Sequence, residues 1–109
     1  MAKLQMKVNG HFDEILKRIE DGILGGSISA SLEDGSDFTC GSARVSVRVF
    51  ERYSWIGSNR VSLNVTLFQG EDGVVRLSGI TSGGSQAMFL KINTFGEEAF
   101  LDKLRELVE

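Results

Sequence analysis

ARVSVRVFERYSWIGSNRVSLNVTLF, residues 43–68, contains two long alternating runs separated by a short loop. Alternation with period two sends successive side chains to opposite faces of a strand. Val45, Val47, Val49, Val61, Leu63, Val65 and Leu67 then read as one apolar face. Arg44, Arg48, Arg52 and Arg60 read as the other, with Phe50 among them. This predicts an antiparallel hairpin, 43–53 with 60–69, that is greasy on one side and cationic on the other. Arginines four apart on one face sit about 13 Å from each other at roughly 3.3 Å per residue, so they form a ladder and not a single pocket.

The flanking sequence extends the sheet on both sides. Leu4, Met6 and Val8 alternate with Lys3, Gln5 and Lys7 as a first strand. Phe12, Ile15, Leu16, Ile19 and Ile23 then recur at helical spacing, with Asp13 and Glu14 at the favourable N-terminal end and Gly22 as the expected stop. Ile28, Ala30 and Leu32 alternate with serines. Asp34-Gly35 is a hairpin signal leading into 37–40, which makes two strands of that region. Gly70–Gly73 turns the chain into Val74–Ser82, where the adjacent valines at 74 and 75 suit a bulge. Thr94 with Glu97 fits a capping box for a C-terminal helix bearing Phe95, Ala99, Phe100, Leu104, Leu107 and Val108, and 86–92 reads as either a helical turn or a strand, with helix favoured.

The expected order is therefore β-α-β-β-β-β-β-α. It describes an α+β fold in which a curved antiparallel meander sheet carries two helices packed on one face and leaves the other face bare. With 109 residues and no linker or low-complexity tract, residues 1–109 read as a single domain.

Composition excludes several function classes. The net charge of −3 gives no bulk attraction to phosphate or to an anionic membrane. Cys40 is the only cysteine, which leaves no intramolecular disulfide and no zinc-type cysteine spacing, so no metal or cofactor is expected. The start of the chain lacks an apolar leader segment, and the longest apolar run, 87–90, is too short to cross a bilayer; the expectation is a cytoplasmic protein with no membrane association.

Residues 43–68 carry +3 against −6 for the remainder, and Arg76 joins the cationic set if its strand keeps register. Arginine in preference to lysine at all five positions suits planar pairing with carboxylate, phosphate or aromatic faces. Two readings stay open. One is a solvated face whose arginines pair with Glu51, Glu71 or Asp72 or with a neighbouring subunit. The other is a site for an anionic small molecule or an acidic protein partner, formed by Arg44, Arg48, Phe50, Arg52, Arg60 and Arg76. Ser82-Gly83-Gly84-Ser85 could add backbone N–H groups to such a site, although a sharp strand-to-helix connection explains those glycines more cheaply. Nucleic acid is disfavoured by the pI near 5.2.

The best overall expectation is a non-catalytic binding or self-associating domain, with a homodimer through the bare face as one form of it. A small enzyme using His11 or Cys40 near Gly83-Gly84 is the rival, and a purely structural oligomer is a third reading in which the neighbouring apolar pair Trp55 and Ile56 serves as a contact.

Several segments carry a resemblance: LGGSISASLED (24–34), VFERYS (49–54), NRVSLNVTL (59–67), ITSGGSQAMF (80–89) and KINTFGEE (91–98). Together they resemble a family of small bacterial proteins known only as a domain of unknown function, Domain of Unknown Function 6054. The resemblance spans most of the chain and implies no activity and no catalytic residues. At fold level the element order is similar to the TATA-binding-protein-like and helix-grip group.

Overall fold

The computed structural model describes residues 1–54, 59–83 and 90–109, the side chains of 90–95 excepted. The order is β1 (Ala2–Val8), α1 (Phe12–Gly25), β2 (Ser31–Cys40), β3 (Ala43–Ser54), β4 (Asn59–Gln69), β5 (Val75–Gly83) and α2 (Leu90–Val108). The strands form one curved, open antiparallel sheet in the order β1-β5-β4-β3-β2. β2 to β5 are a meander, and β1 pairs with the far side of β5.

One strand fewer follows α1 than the sequence suggested. Asp34-Gly35 does not turn the chain. Residues 31–40 run as one strand along β3, with a register shift between Leu32 and Asp34. Asp34 Oδ1 accepts a hydrogen bond from Gly35 N at 2.7 Å, and a Cβ at Gly35 would lie 3.0 Å from Arg48 Cδ and 3.1 Å from Val47 O. The glycine is there because the Arg48 side chain crosses the strand at that point. Residues 27–30 form a turn, with Ala30 N donating to Ser27 O at 3.2 Å, where the alternation had suggested strand. The bulge suggested at Val74 and Val75 is absent: the turn closed by Gly73 absorbs Val74, and β5 pairs with β4 without a shift.

Both helix boundaries also move. α1 runs past Gly22 to Gly25, because Gly22 is where the two helices approach each other and a Cβ there would overlap Leu107. α2 begins at Leu90, so Thr94 lies inside the helix and does not cap it. Residues 90–92 are helical, while 86–89, Trp55 and Ile56 lie outside the described residues.

The core is built from β4, β5, β1 and the two helices. Val61, Leu63, Val65 and Leu67 of β4 are at most 1% exposed, and they meet Ile15, Ile19, Phe100 and Leu104. Directly opposed residues share a face. The β3–β4 register pairs Arg44 with Gln69, Arg48 with Val65, Phe50 with Leu63 and Arg52 with Val61. Arg44, Arg48 and Arg52 therefore lie on the helix side of the sheet. Val45, Val47 and Val49 lie on the open side with Phe68, Thr66 and Asn64. This reverses the expected assignment for β3. Phe50, expected among surface arginines, is 0% exposed and belongs to the core.

Arginines become tolerable under a helix because their long apolar stems pack while their charged heads find partners. Arg44 lies over the Phe12 ring at 4.0 Å and reaches Asp13 Oδ1 at 2.9 Å. Arg48 binds Glu20 Oε2 of α1 at 2.8 Å and Asp37 Oδ1 of β2 at 3.1 Å, and it also donates to Val47 O. One guanidinium thus ties the edge strand, its neighbour and α1 together. Asp37 is held below the usual carboxylate range, first by the Ser46 hydroxyl and then by Arg48.

Three expectations follow from this packing. Gly79→Ala should destabilise the fold by about 1–3 kcal/mol through overpacking, because its Cβ would sit 2.6 Å from Leu104 Cδ2 and 3.3 Å from Leu101 Cδ2. Gly25→Ala, which meets nothing within 4 Å, should be neutral or stabilising; paired urea denaturation checks both, and equal midpoints for the two variants would contradict the packing. Arg48→Met should cost about 1 kcal/mol, chiefly through half-buried Glu20, since Asp37 is exposed. The contribution of Asp37 is fully present above its unfolded pKa of about 3.9 and is lost as pH falls through the lower folded value. Stability should therefore decline below about pH 4 more steeply in the wild type than in Asp37→Asn, as measured by thermal melts across an acid series.

Candidate functional site

The five sheet arginines divide between two faces and differ in how they are neutralised. On the open face, Arg60 Nε binds Glu51 Oε1 at 2.9 Å, and its Nη2 reaches Ser29 O at 3.3 Å and Ser31 Oγ at 3.2 Å. Arg76 Nη2 lies 3.3 Å from Asp72 Oδ2, four residues earlier in the chain. On the helix face, Arg44 has Asp13, and Arg48 has Glu20 and Asp37. For these four the plainer reading holds, with each cation paired within the chain.

Arg52 is different. Its guanidinium lies over the ring of fully buried Phe100, 4.3 Å from the centroid. Burial holds its pKa below the ordinary value, and no carboxylate acts on it. The chain has fifteen Asp and Glu residues, and every one lies within the described residues. None of the ion pairs they form includes Arg52. A cation partly withdrawn from water without a counter-charge is costly, and stacking on a ring offsets only part of that cost.

Arg52 also lines a cavity of about 280 Å³. Gly26 and Ser27 come from the junction after α1, Arg52, Tyr53 and Ser54 from the end of β3, and Gly96 and Ala99 from α2. α2 approaches β3 closely at one side of the cavity: a Cβ at Gly96 would come within 2.5 Å of Ser54 Oγ. The Ser54 hydroxyl in the same lining supplies hydrogen-bonding capacity, while that of Ser27 already meets Ser29. A planar fork with a hydroxyl in the same lining suits a carboxylate or a phosphate.

The 82–85 segment does not add a free N–H cradle as far as it is described. Gly83 N donates to Glu97 Oε2 at 3.0 Å, and Ser82 Oγ lies 3.0 Å from Ser62 Oγ. Glu97 is almost fully buried, and its Oε1 meets the Met1 ammonium at 2.6 Å, the one partner of that oxygen among the described residues. The amide of Gly83 therefore already faces an anion belonging to the chain itself. Gly84 and Ser85 lie outside the described residues.

His11 and Cys40 are not brought to that segment. Gly83 pairs with Val61, which is opposite Arg52, whereas Cys40 pairs with Ala43. Nine positions of β3 separate the two levels, about 30 Å at roughly 3.3 Å per residue. His11 precedes α1, just after the β1 end that is level with Val75, at the Cys40 end of the sheet.

Sequence reading singled out Arg76 but missed most of the residues around it. Gln5, Lys7, Thr66, Phe68, Arg76 and Ser78 line a cavity of about 420 Å³ on the open face. The alternation of Lys3, Gln5 and Lys7 carried part of that signal, but their cross-strand neighbours depend on registers that no single strand reveals. No helix among the described residues is long and apolar enough to cross a membrane.

No curated protein and no solved structure matches the chain. A family match covers residues 1–109, and on that evidence the chain belongs to DUF6054, a family of unknown function.

Proposed function

We propose that this chain is a non-catalytic, cytoplasmic binding domain that captures the carboxylate or phosphate group of a small molecule or acidic protein partner at Arg52. The observation that carries this reading is the charge accounting: four sheet arginines have carboxylates of their own, and the fifth, stacked on Phe100 beside a cavity, has none. The idea of an anionic partner is kept from the sequence, but its place moves from a ladder to one guanidinium on the helix side.

A lining that combines Arg52 with Tyr53 and Ser54 supports a planar or tetrahedral anion of modest size. Arg52 and Ser54 bring donors to the lining from β3, and Ser27, Gly96 and Ala99 complete it with small side chains. The wide separation of Cys40 from Gly83 supports the non-catalytic part of the reading, since proton transfer requires hydrogen-bond reach of about 3 Å. The likeness expected from the element order to TATA-binding-protein-like and helix-grip folds is matched by no solved structure and lends the reading no support.

Titration with inorganic phosphate and with citrate, followed through the Arg52 side-chain Nε–H signal by NMR, tests the proposal. A saturable shift of that signal with at least one probe is expected. Arg52→Met should abolish the binding measured by calorimetry, and Arg52→Lys should weaken it about tenfold because the fork is lost. No shift with either probe, or equal affinity in Arg52→Met, would overturn it.

A further inference from the structure

The open face of the sheet is ordered in rows, because directly paired residues on neighbouring strands share a face. One row runs Lys7, Arg76, Phe68, Val45, Phe38 across all five strands. It is about 19 Å long at roughly 4.8 Å per strand. Cations occupy one end and apolar side chains the other.

Two features of this row are unfavourable in water. Lys7 and Arg76 are like charges directly opposite each other, an arrangement that destabilises a sheet. Asp72 offsets it only in part, from a single carboxylate 3.3 Å from Arg76. Alongside, Phe38 is 67% exposed and Phe68 40%, so two aromatic side chains, one on either side of Val45, face solvent.

Phe68 also separates two depressions. The larger, about 420 Å³, lies on the cationic side, a volume in the range of small-molecule sites. The smaller, about 100 Å³, lies between Phe38, Val45 and Phe68. Gln5, Ser78 and Thr66, one row further along, provide hydrogen-bonding groups next to the cations; the same row ends in Ser36 near Phe38, and Thr39 and Arg44 also line the smaller depression.

We propose that this row binds a small free amphiphile with one anionic head, a carboxylate or sulfonate held by Lys7 and Arg76, and an apolar body lying over Phe68 toward Val45 and Phe38. Two cations against Asp72 leave one net positive charge, which matches a monoanion in preference to a doubly charged phosphate ester. The apolar body covers the exposed rings, and the head relieves the cross-strand repulsion. This site is on the opposite side of the sheet from Arg52 and does not depend on it.

Fluorescence titration with anilinonaphthalene sulfonate, with laurate as competitor, tests the assignment. Saturable binding at one site per chain is expected, with displacement by laurate. Lys7→Glu and Phe68→Ser should each weaken the dye at least tenfold, and Arg52→Met should leave it unchanged. Lys7→Glu also converts a like-charge pair into an opposite-charge pair, so its thermal midpoint should not fall; lost binding in that variant is then not lost folding. Equal dye affinity in Lys7→Glu or Phe68→Ser, failure of laurate to displace the dye, or binding of phosphatidylglycerol vesicles without binding of free laurate would each overturn the proposal.

Discussion

The pairing register of β3 against β4 is the constraint from which the rest of the structure follows. Ser54 pairs with Asn59, so even-numbered positions of β3 face the same way as odd-numbered positions of β4. Leu63 and Val65 must meet the helices, which obliges Phe50, Arg48 and Arg52 to do so as well. Three guanidinium groups are thereby placed on the side where water is scarce. Each of them requires either a carboxylate or a ring.

α1 supplies most of what they require. Asp13 and Glu20 reach Arg44 and Arg48, and Phe12 lies beneath Arg44. Because Arg48 also holds Asp37 on β2, the same charge that fixes the helix fixes an edge strand whose side chains are otherwise exposed. Buried or half-buried pairs of this kind specify geometry at least as much as they stabilise it. Arg52 receives a ring and no acid, and that asymmetry separates a candidate binding residue from structural ones more sharply than exposure alone.

Much of the architecture was legible in the sequence. Alternation marked β1, β3, β4 and β5, and the stripe from Phe12 to Ile23 marked α1 with its correct buried face. The sheet's single helical backing followed from two amphipathic helices. What was not legible was parity. Val45, Val47 and Val49 looked like a core face because they are apolar, yet β3 is apolar on one side and arginine-rich on the other, and only its pairing with β4 decides which side is inward. A loop with an even number of residues switches parity across a hairpin, and the four residues between Ser54 and Asn59 do this. Asp34-Gly35 misled for a related reason: the same dipeptide that favours a turn also lets a long side chain cross the backbone. The row from Lys7 to Phe38 joins residues 31 positions or more apart in sequence with others from neighbouring strands, so it emerges only after every register is known.

The most direct measurement on the central claim is the proton environment of Arg52 in solution. Its methylene and Nε protons are predicted to be shifted upfield by the Phe100 ring current and to show nuclear Overhauser contacts to that ring and none to the Arg60 or Ser62 side chains. Random-coil shifts together with contacts to Arg60 or Ser62 side chains would place Arg52 on the open face and contradict the register on which the charge accounting rests.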